Sequence, residues 1–348
     1  MNASTNRTWV MHRHADGPMG DDNLVLRERP MPEPAEGQIR VRSVYLSLDP
    51  TNRVWLSSQY TYMPPIPLGE PMRGFIIGVV DKSRCAGWEE GDIVYGLMQW
   101  ADYCVIDPRQ TAFMLKMPPA DDISLEAWIS ALAMNGHTAY YGLIVKGRVR
   151  AGETVLVSGA AGATGSLVGQ VAKTAGARVV GIAGGAAKCR SLIEDFGFDA
   201  AIDYKSEDVL AAIGRHCADG VDIFFDNVGG PILDAGLAHL AMGARVIICG
   251  GISEYDNLGD PDKQYGIKNH FALLLRRASM EGFVVFDFLG GPEQAKCERA
   301  LIEWYRAGRL RYKAHVVRGL ETAFPSLRLL FTGGNTGKLL IHIDDRLR

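Results

Sequence analysis

The sequence predicts an α/β protein: a doubly wound parallel sheet together with a second, mostly β region. Three observations predict it. From about residue 152 onward, short apolar runs alternate with helical stretches. Residues 1–135 instead carry β-rich runs separated by Gly and Pro clusters. The tail, YKAHVVRGLETAFPSLRLLFTGGNTGKLLIHI, returns to strand, helix and strand, a pattern able to complete the first region.

In the first region GQIRVRSVYLSL and GFIIGVVDKS read as strands, and GDIVYGLMQWADYCVI reads as a hairpin-rich segment. PMPEPAEG, MPPIPLGEPMRG and CAGWEEGD mark the turns. LEAWISALAMNGHTAYYGLI reads as a helical passage into the second region. There the expected strands are ETVLVSG, ARVVGIAG, AAIDY, VDIFFDNVG, ARVIICGG and MEGFVVFDF, with KCRSLIEDFG and PILDAGLAHLAM as helices between them. The helix EQAKCERALIEWYRAG follows. The expected division is 1–135 with 310–348, and 136–309.

The stretch from Glu153 to Gly165 carries the most chemistry. A β-branched run ends in Gly159-x-x-Gly162-x-x-Gly165, and SLVGQVAKTAG opens a helix directly after it. Strand, glycine turn, helix and strand form the start of a Rossmann dinucleotide-binding unit. Its glycines let the backbone approach a pyrophosphate, which sits on the unpaired N–H groups of the helix start. The end of the next strand selects the dinucleotide. A carboxylate there, roughly 20 residues past the glycines, binds the ribose 2′-OH of NAD. This chain has Gly184, Gly185, Ala186 and Ala187, followed by Lys188 and Arg190. Two cations without a carboxylate suit a 2′-phosphate, so NADP is the expected cofactor. Tyr204, at the end of the third strand, is a further candidate phosphate partner. Asp226, Asn227, Val228, Gly229 and Gly230 end a buried strand where an open α/β sheet places its ligand, and CGGISEY repeats that arrangement one strand later.

Composition narrows the remaining classes. The chain has 348 residues and a net charge of −3, which suits two domains and argues against a nucleic-acid or membrane-surface role. MNASTNRTWVMHRHADG lacks the apolar core of a secretory signal, and no apolar run approaches the roughly 20 residues of a membrane span, so a cytoplasmic location is expected. The six cysteines are scattered without a C-x-x-C pair, and the eight histidines show no H-E-x-x-H spacing. Reduced thiols and no metal are expected.

These pieces in this order resemble the zinc-independent branch of the medium-chain dehydrogenase/reductase superfamily. That branch holds prostaglandin and leukotriene reductases, plant alkenal/one reductases and bacterial curcumin reductase. The matching stretches are SLDPTNR (47–53), YTYMPPIPLGEPMRG (60–74), GHTAYYGL (136–143), VSGAAGATGSLVGQVAK (157–173), GFDAAIDYK (197–205), DIFFDNVGG (222–230), CGGISEY (249–255) and GGNTGKLL (333–340). The resemblance implies a GroES-like catalytic domain for the first region and a homodimer joined at MEGFVVFDF. It places Gly162, Ala163, Thr164 and Gly165 at the pyrophosphate, and Gly184, Lys188 and Tyr204 at the 2′-phosphate end. Asn227, Gly250, Tyr255 and Asn335 fall at the nicotinamide half. Tyr62, with Tyr255 or Tyr265, edges the substrate pocket as candidate catalytic residues. Where zinc-dependent relatives carry ligands, this chain reads SLDPTNR and MRGFIIG.

The implied reaction is NADPH-dependent reduction of the carbon–carbon double bond of a small-molecule α,β-unsaturated ketone or aldehyde. A quinone reductase is the nearest alternative, and a non-catalytic nucleotide-binding member a more distant one. Two departures bear on substrate range. Thr51 and Asn52 stand where the family usually has an aromatic residue and a methionine. Asn135 and His137 stand where it usually has proline and an aliphatic residue. For His137 a structural role is weighed against that of a catalytic acid.

Overall fold

The computed structural model describes residues 5–111, 113–118 and 122–344. The chain divides into two units, Met1–Ile129 with Ala314–Arg348, and Ser130–Lys313. In the first unit, β1 (Thr5–Met11) and β2 (Leu24–Pro30) pair as an antiparallel ribbon. β3 (Ile39–Leu48), β4 (Arg73–Ser83), β5 (Ile93–Gln99) and β7 (Met114–Lys116) follow one another antiparallel across a larger sheet, and β6 (Tyr103–Ile106) pairs with β3. The alternation that marks β3 in sequence places Ile39, Val41, Val44, Leu46 and Leu48 in the core. A short helix, α1 (Thr51–Trp55), follows β3.

The segment expected to be one helix at 125–144 is interrupted. It runs as α2 (Leu125–Ala127), a π-helical turn at Trp128–Leu132, a break at Ala133, α3 (Met134–Tyr140) and a second π turn at Tyr141–Lys146. Ala133 has left helical geometry at φ −89° and ψ −133°, so α3 begins anew. Apolar content in the sequence reports burial, and Ala127, Ile129, Leu132 and Tyr141 are buried. It does not report the hydrogen-bond register of the turns.

The second unit is built on six parallel strands. β8 (Thr154–Val157), β9 (Arg178–Ala183), β10 (Ala200–Asp203), β11 (Val221–Asp226), β12 (Leu240–Ile248) and β13 (Ser279–Gly282) lie in the order β10-β9-β8-β11-β12-β13. This is the doubly wound order whose switch point falls between β8 and β11. The connecting helices are α4 (Ala163–Thr174), α5 (Ala186–Glu194), α6 (Val209–His216) and α7 (Gly230–Leu237). α8 (Ala272–Arg276) precedes β13, and α9 (Gln294–Arg306) follows it. Leu156, Val180, Ile182, Ile202, Phe224 and Val246 form one continuous buried layer.

The expected strand at MEGFVVFDF is shorter than read. Only Ser279–Gly282 pairs with β12, and Val285–Phe288 is a 3₁₀ turn. The aromatics decide this. Phe283 packs edge-on against Phe225 and Phe288, and Phe288 stacks on Tyr141 at 4.7 Å, so the chain folds back instead of extending. The chain then returns to the first unit. β14 (Ala314–Arg318) pairs parallel with β15 (Lys338–His342), and β15 pairs antiparallel with β3.

Candidate functional site

The glycine turn after β8 is shaped as the sequence requires. Gly162 caps α4 in extended geometry, and no side chain caps that end. The first-turn amides of a helix have no intrahelical acceptor, so Ala163, Thr164 and Gly165 present N–H groups together with the positive end of the helix dipole. Gly165 cannot carry a side chain. A Cβ there would lie 2.5 Å from the Gly159 carbonyl oxygen and 2.8 Å from Ala160 Cα. This close backbone approach is the cradle that a pyrophosphate needs.

At the next strand end, the Tyr204 ring covers Gly184 so closely that a Cβ on Gly184 would meet its ring carbons and hydroxyl at 2.8 Å. The Gly185 amide donates to Asp203 at 2.7 Å, and the Lys205 amide donates to the same carboxylate oxygen at 3.0 Å. Asp203 thereby ties the ends of β9 and β10 together, and these backbone bonds hold its carboxyl below the usual range. Burial and, after it, the neighbouring Lys205 charge hold the Lys188 ammonium below its ordinary pKa. Two like charges near one another make this strand end electropositive. Lys205 directly follows Tyr204 at the end of β10, next to β9, whose end leads into α5 and Lys188.

Along the same carboxyl edge of the parallel sheet, the ends of β8 and β11 are organised around Asp226, which is fully buried. Ser158 Oγ donates to its Oδ1 at 2.5 Å, and the amides of Val228 and Gly229 donate at 3.2 and 2.9 Å. Burial still pushes the carboxyl up from its usual range. The Asn227 amide nitrogen donates to Ser158 Oγ at 2.8 Å, and its Nδ2 donates to the Ser158 carbonyl at 2.7 Å. The end of β11 is thus laced to the end of β8 beside the glycine turn. Tyr255 accepts from the Gly251 amide at 3.3 Å, and burial pushes its phenol up to about 12, so it stays protonated through the physiological range. Its hydroxyl would lie 3.0 Å from a Cβ on Gly250.

Tyr265 has a different environment. Its hydroxyl donates to Asp234 Oδ2 at 3.0 Å, while Oδ1 of Asp234 accepts from the amides of Lys268 and Asn269 at 3.0 and 2.7 Å. The Tyr265 proton is engaged in pinning the 265–269 loop to α7.

The other candidate residues lie in the first unit. Tyr62 is 43 % exposed, and its hydroxyl shares a hydrogen bond with Thr51 Oγ1 on α1. Arg73 donates to the Pro64 carbonyl and lies over the Trp55 ring at 5.4 Å. Burial holds its guanidinium below the ordinary range, and the nearby Tyr62 phenol opposes that shift. Buried Lys338 donates to the Leu48 carbonyl at 2.9 Å and pairs with Asp49 at 2.5 Å, which fixes the start of α1 to β15. In the GGNTGK turn, Asn335 Nδ2 donates to the Gly337 carbonyl at 2.8 Å. His137 is 2 % exposed, and burial pushes its imidazole down to about 4, so it is neutral at pH 7. Among the described residues no three His, Cys, Asp or Glu side chains are grouped to hold a metal ion. No helix among them is long and apolar enough to cross a membrane.

A Rossmann sheet with an uncapped glycine turn and a cationic second strand end defines an NADP-dependent oxidoreductase of the medium-chain dehydrogenase/reductase type. Comparison with known proteins agrees. Residues 7–114 match the family described as the N-terminal domain of oxidoreductase, and residues 163–304 match the zinc-binding dehydrogenase family. The chain is 38 % identical over 340 residues to the NADP-dependent 2-alkenal reductase of Nicotiana tabacum, covering 97 % of this chain and 96 % of the relative. It is 34 % identical over 339 residues to the NADPH-dependent curcumin reductase of Escherichia coli K12, covering 97 % of each. The crystal structure of CurA from Vibrio vulnificus in complex with NADPH superimposes with a TM-score of 0.89 at 34 % identity, over 97 % of this chain and 99 % of that one. The protein belongs to the zinc-independent medium-chain dehydrogenase/reductase family that contains the curcumin and 2-alkenal reductases.

Proposed function

We propose that the protein reduces the carbon–carbon double bond of α,β-unsaturated ketones or aldehydes. The observation that carries this reading is the Tyr62 phenol, partly exposed and hydrogen-bonded to Thr51, a proton donor that needs no metal. The tobacco and E. coli relatives, named for alkenal and curcumin reduction, support the substrate class.

When bound, NADPH would supply the hydride for the β-carbon. The amides of Ala163, Thr164 and Gly165 would hold the pyrophosphate, and Lys188 and Lys205 the 2′-phosphate with Tyr204 beside them, where Gly184 leaves room for that ring. Asn227, Gly250, Tyr255 and Asn335 frame the nicotinamide half. Negative charge then develops on the carbonyl oxygen, and the Tyr62 hydroxyl donates to it. A proton delivered to the α-carbon completes a saturated carbonyl product. Tyr255 keeps its proton and serves as a neutral donor.

An NADPH-oxidation screen across enals, enones and quinones, with product analysis, tests the reading. Saturated ketones or aldehydes are expected. An allylic alcohol product, or quinone turnover exceeding enone turnover, would replace it. Tyr62→Phe is expected to lower kcat/KM for enones by roughly 10- to 1000-fold, the scale of one oxyanion donor or general acid. NADPH affinity should not change.

The assembly proposed is a homodimer through β13. That strand is exposed along its whole length at the sheet edge, with Met280 within it, and Phe271, Leu274 and Leu275 just before it in sequence are exposed as well. An unprotected edge of this kind invites pairing with a second copy. Light scattering at micromolar concentration should give twice the chain mass, and a monomer would refute the assignment.

A further inference from the structure

Asn135 stands where the resemblance expects proline, and the cofactor roles above do not include it. It is the second residue of α3, held there by the break at Ala133, and it is 8 % exposed. Its Oδ1 accepts a hydrogen bond from Thr164 Oγ1 at 3.2 Å. Thr164 lies in the first turn of α4, directly after the Gly162 cap. Among the described residues the Asn135 amide nitrogen makes no hydrogen bond. A carboxamide so placed at an anion cradle has a donor to offer that the fold itself does not use.

The valence of the pair gives this meaning. A threonine hydroxyl has one proton and can accept as well as donate. While that proton is directed at Asn135, the hydroxyl cannot donate it to a phosphate. A carboxamide presents an acceptor and a donor of nearly the same shape. Turned by 180°, Asn135 donates through Nδ2 to Thr164, and the Thr164 proton is released toward the anion. A chain of donors running toward a negative charge is polarised by it, so both bonds strengthen together. Proline at this position offers no side-chain donor.

We infer that Asn135 is a positioning residue for the dinucleotide pyrophosphate, acting through Thr164 by exchanging its acceptor for its donor when the anion arrives. This rests on the cofactor reading of the α4 turn. Because both dinucleotides carry the same pyrophosphate, NADPH and NADH are affected alike, whereas the lysines at the far end distinguish them.

The test is direct binding of NADPH and of NADH, by calorimetry or fluorescence, to the full-length protein and its variants. Asn135→Ala should weaken both cofactors about five-fold, the scale of one neutral hydrogen bond. Asn135→Asp, which can only accept and adds a negative charge, should weaken both by about 30-fold or more. Thr164→Val, which removes the donor that Asn135 acts through, should cost at least what Asn135→Ala costs. The double variant should lose no more than Thr164→Val alone, because Asn135 acts only through that hydroxyl. A structural role alone would give losses in melting temperature without this non-additivity in affinity. Additive losses, or losses confined to NADPH, would overturn the inference. If Thr164→Val weakens binding and Asn135→Ala does not, Asn135 fails while the cofactor reading stands. If neither changes, the placement of the pyrophosphate at this turn fails as well.

Discussion

The two ends of the cofactor cradle in the parallel sheet are built on opposite principles. At the β9 and β10 end, charge is displayed: the Lys188 and Lys205 charges oppose one another beside a 45 % exposed Tyr204. At the β8 and β11 end, charge is buried and spent internally. Asp226 is satisfied by Ser158 and two backbone amides, and Asn227 by Ser158. In the proposed reading the first end would discriminate between ligands, whereas the second ties the strand ends together through bonds within the protein. Substitutions at the two ends should therefore separate into losses of selectivity and losses of fold.

The sharpest test of that contrast is Asp226→Ala, which strands the Val228 and Gly229 amides and the Ser158 hydroxyl in a dry interior. Chemical denaturation should show about 3–4 kcal/mol less stability, because each buried polar group left unpaired is costly. A loss below 1 kcal/mol, with cofactor affinity impaired instead, would erase the contrast.

His137 extends the buried side. Its folded pKa of about 4 lies below the unfolded 6.5, so on acidification the unfolded chain takes up a proton first. Stability is complete above pH 6.5 and falls as pH drops toward 4, where the deficit from this residue approaches about 3 kcal/mol. Replacing it with the aliphatic residue usual in the family, His137→Leu, should flatten the stability profile across that window. An unchanged slope in denaturation curves from pH 7 to pH 4 would show that His137 is not held neutral.

At the exposed end the expected effect is smaller and of another kind. Lys188→Ala should weaken NADPH by about 1–3 kcal/mol, the worth of a charge-assisted hydrogen bond, and leave NADH and the melting temperature nearly unchanged. Equal losses for both cofactors would mean that the display of charge does not select the 2′-phosphate.

What could be read from the sequence follows from how local each signal is. β8, the glycine turn and α4 form one continuous stretch, and their periodicity and glycine spacing carried both the fold and the cofactor. Lys188 was readable because the absence of a carboxylate nearby is a local fact. Lys205 comes near Lys188 only when β10 lies beside β9, and the Tyr265 hydroxyl meets its hydrogen-bond acceptor Asp234, 31 residues earlier, only in the folded chain. The shortened β13 has the same cause. Val284 and Val285 favour a strand, but the contacts of Phe283 and Phe288 with Phe225 and Tyr141 across the fold outweigh that preference.

The return of the chain to its first unit sets a constraint on synthesis. Lys338 reaches the Leu48 carbonyl across 290 residues of sequence, and β15 is the strand that covers one flank of β3. The parallel sheet can assemble as its residues emerge from the ribosome. The earlier-made sheet has to wait, with Tyr45–Leu48 of β3 lacking their β15 partner and Asp49 without its lysine, until the last stretch of chain is released. A stalled or clipped product ending before Ala314 would carry a finished nucleotide-binding half and an open β edge, ready to pair with other nascent chains.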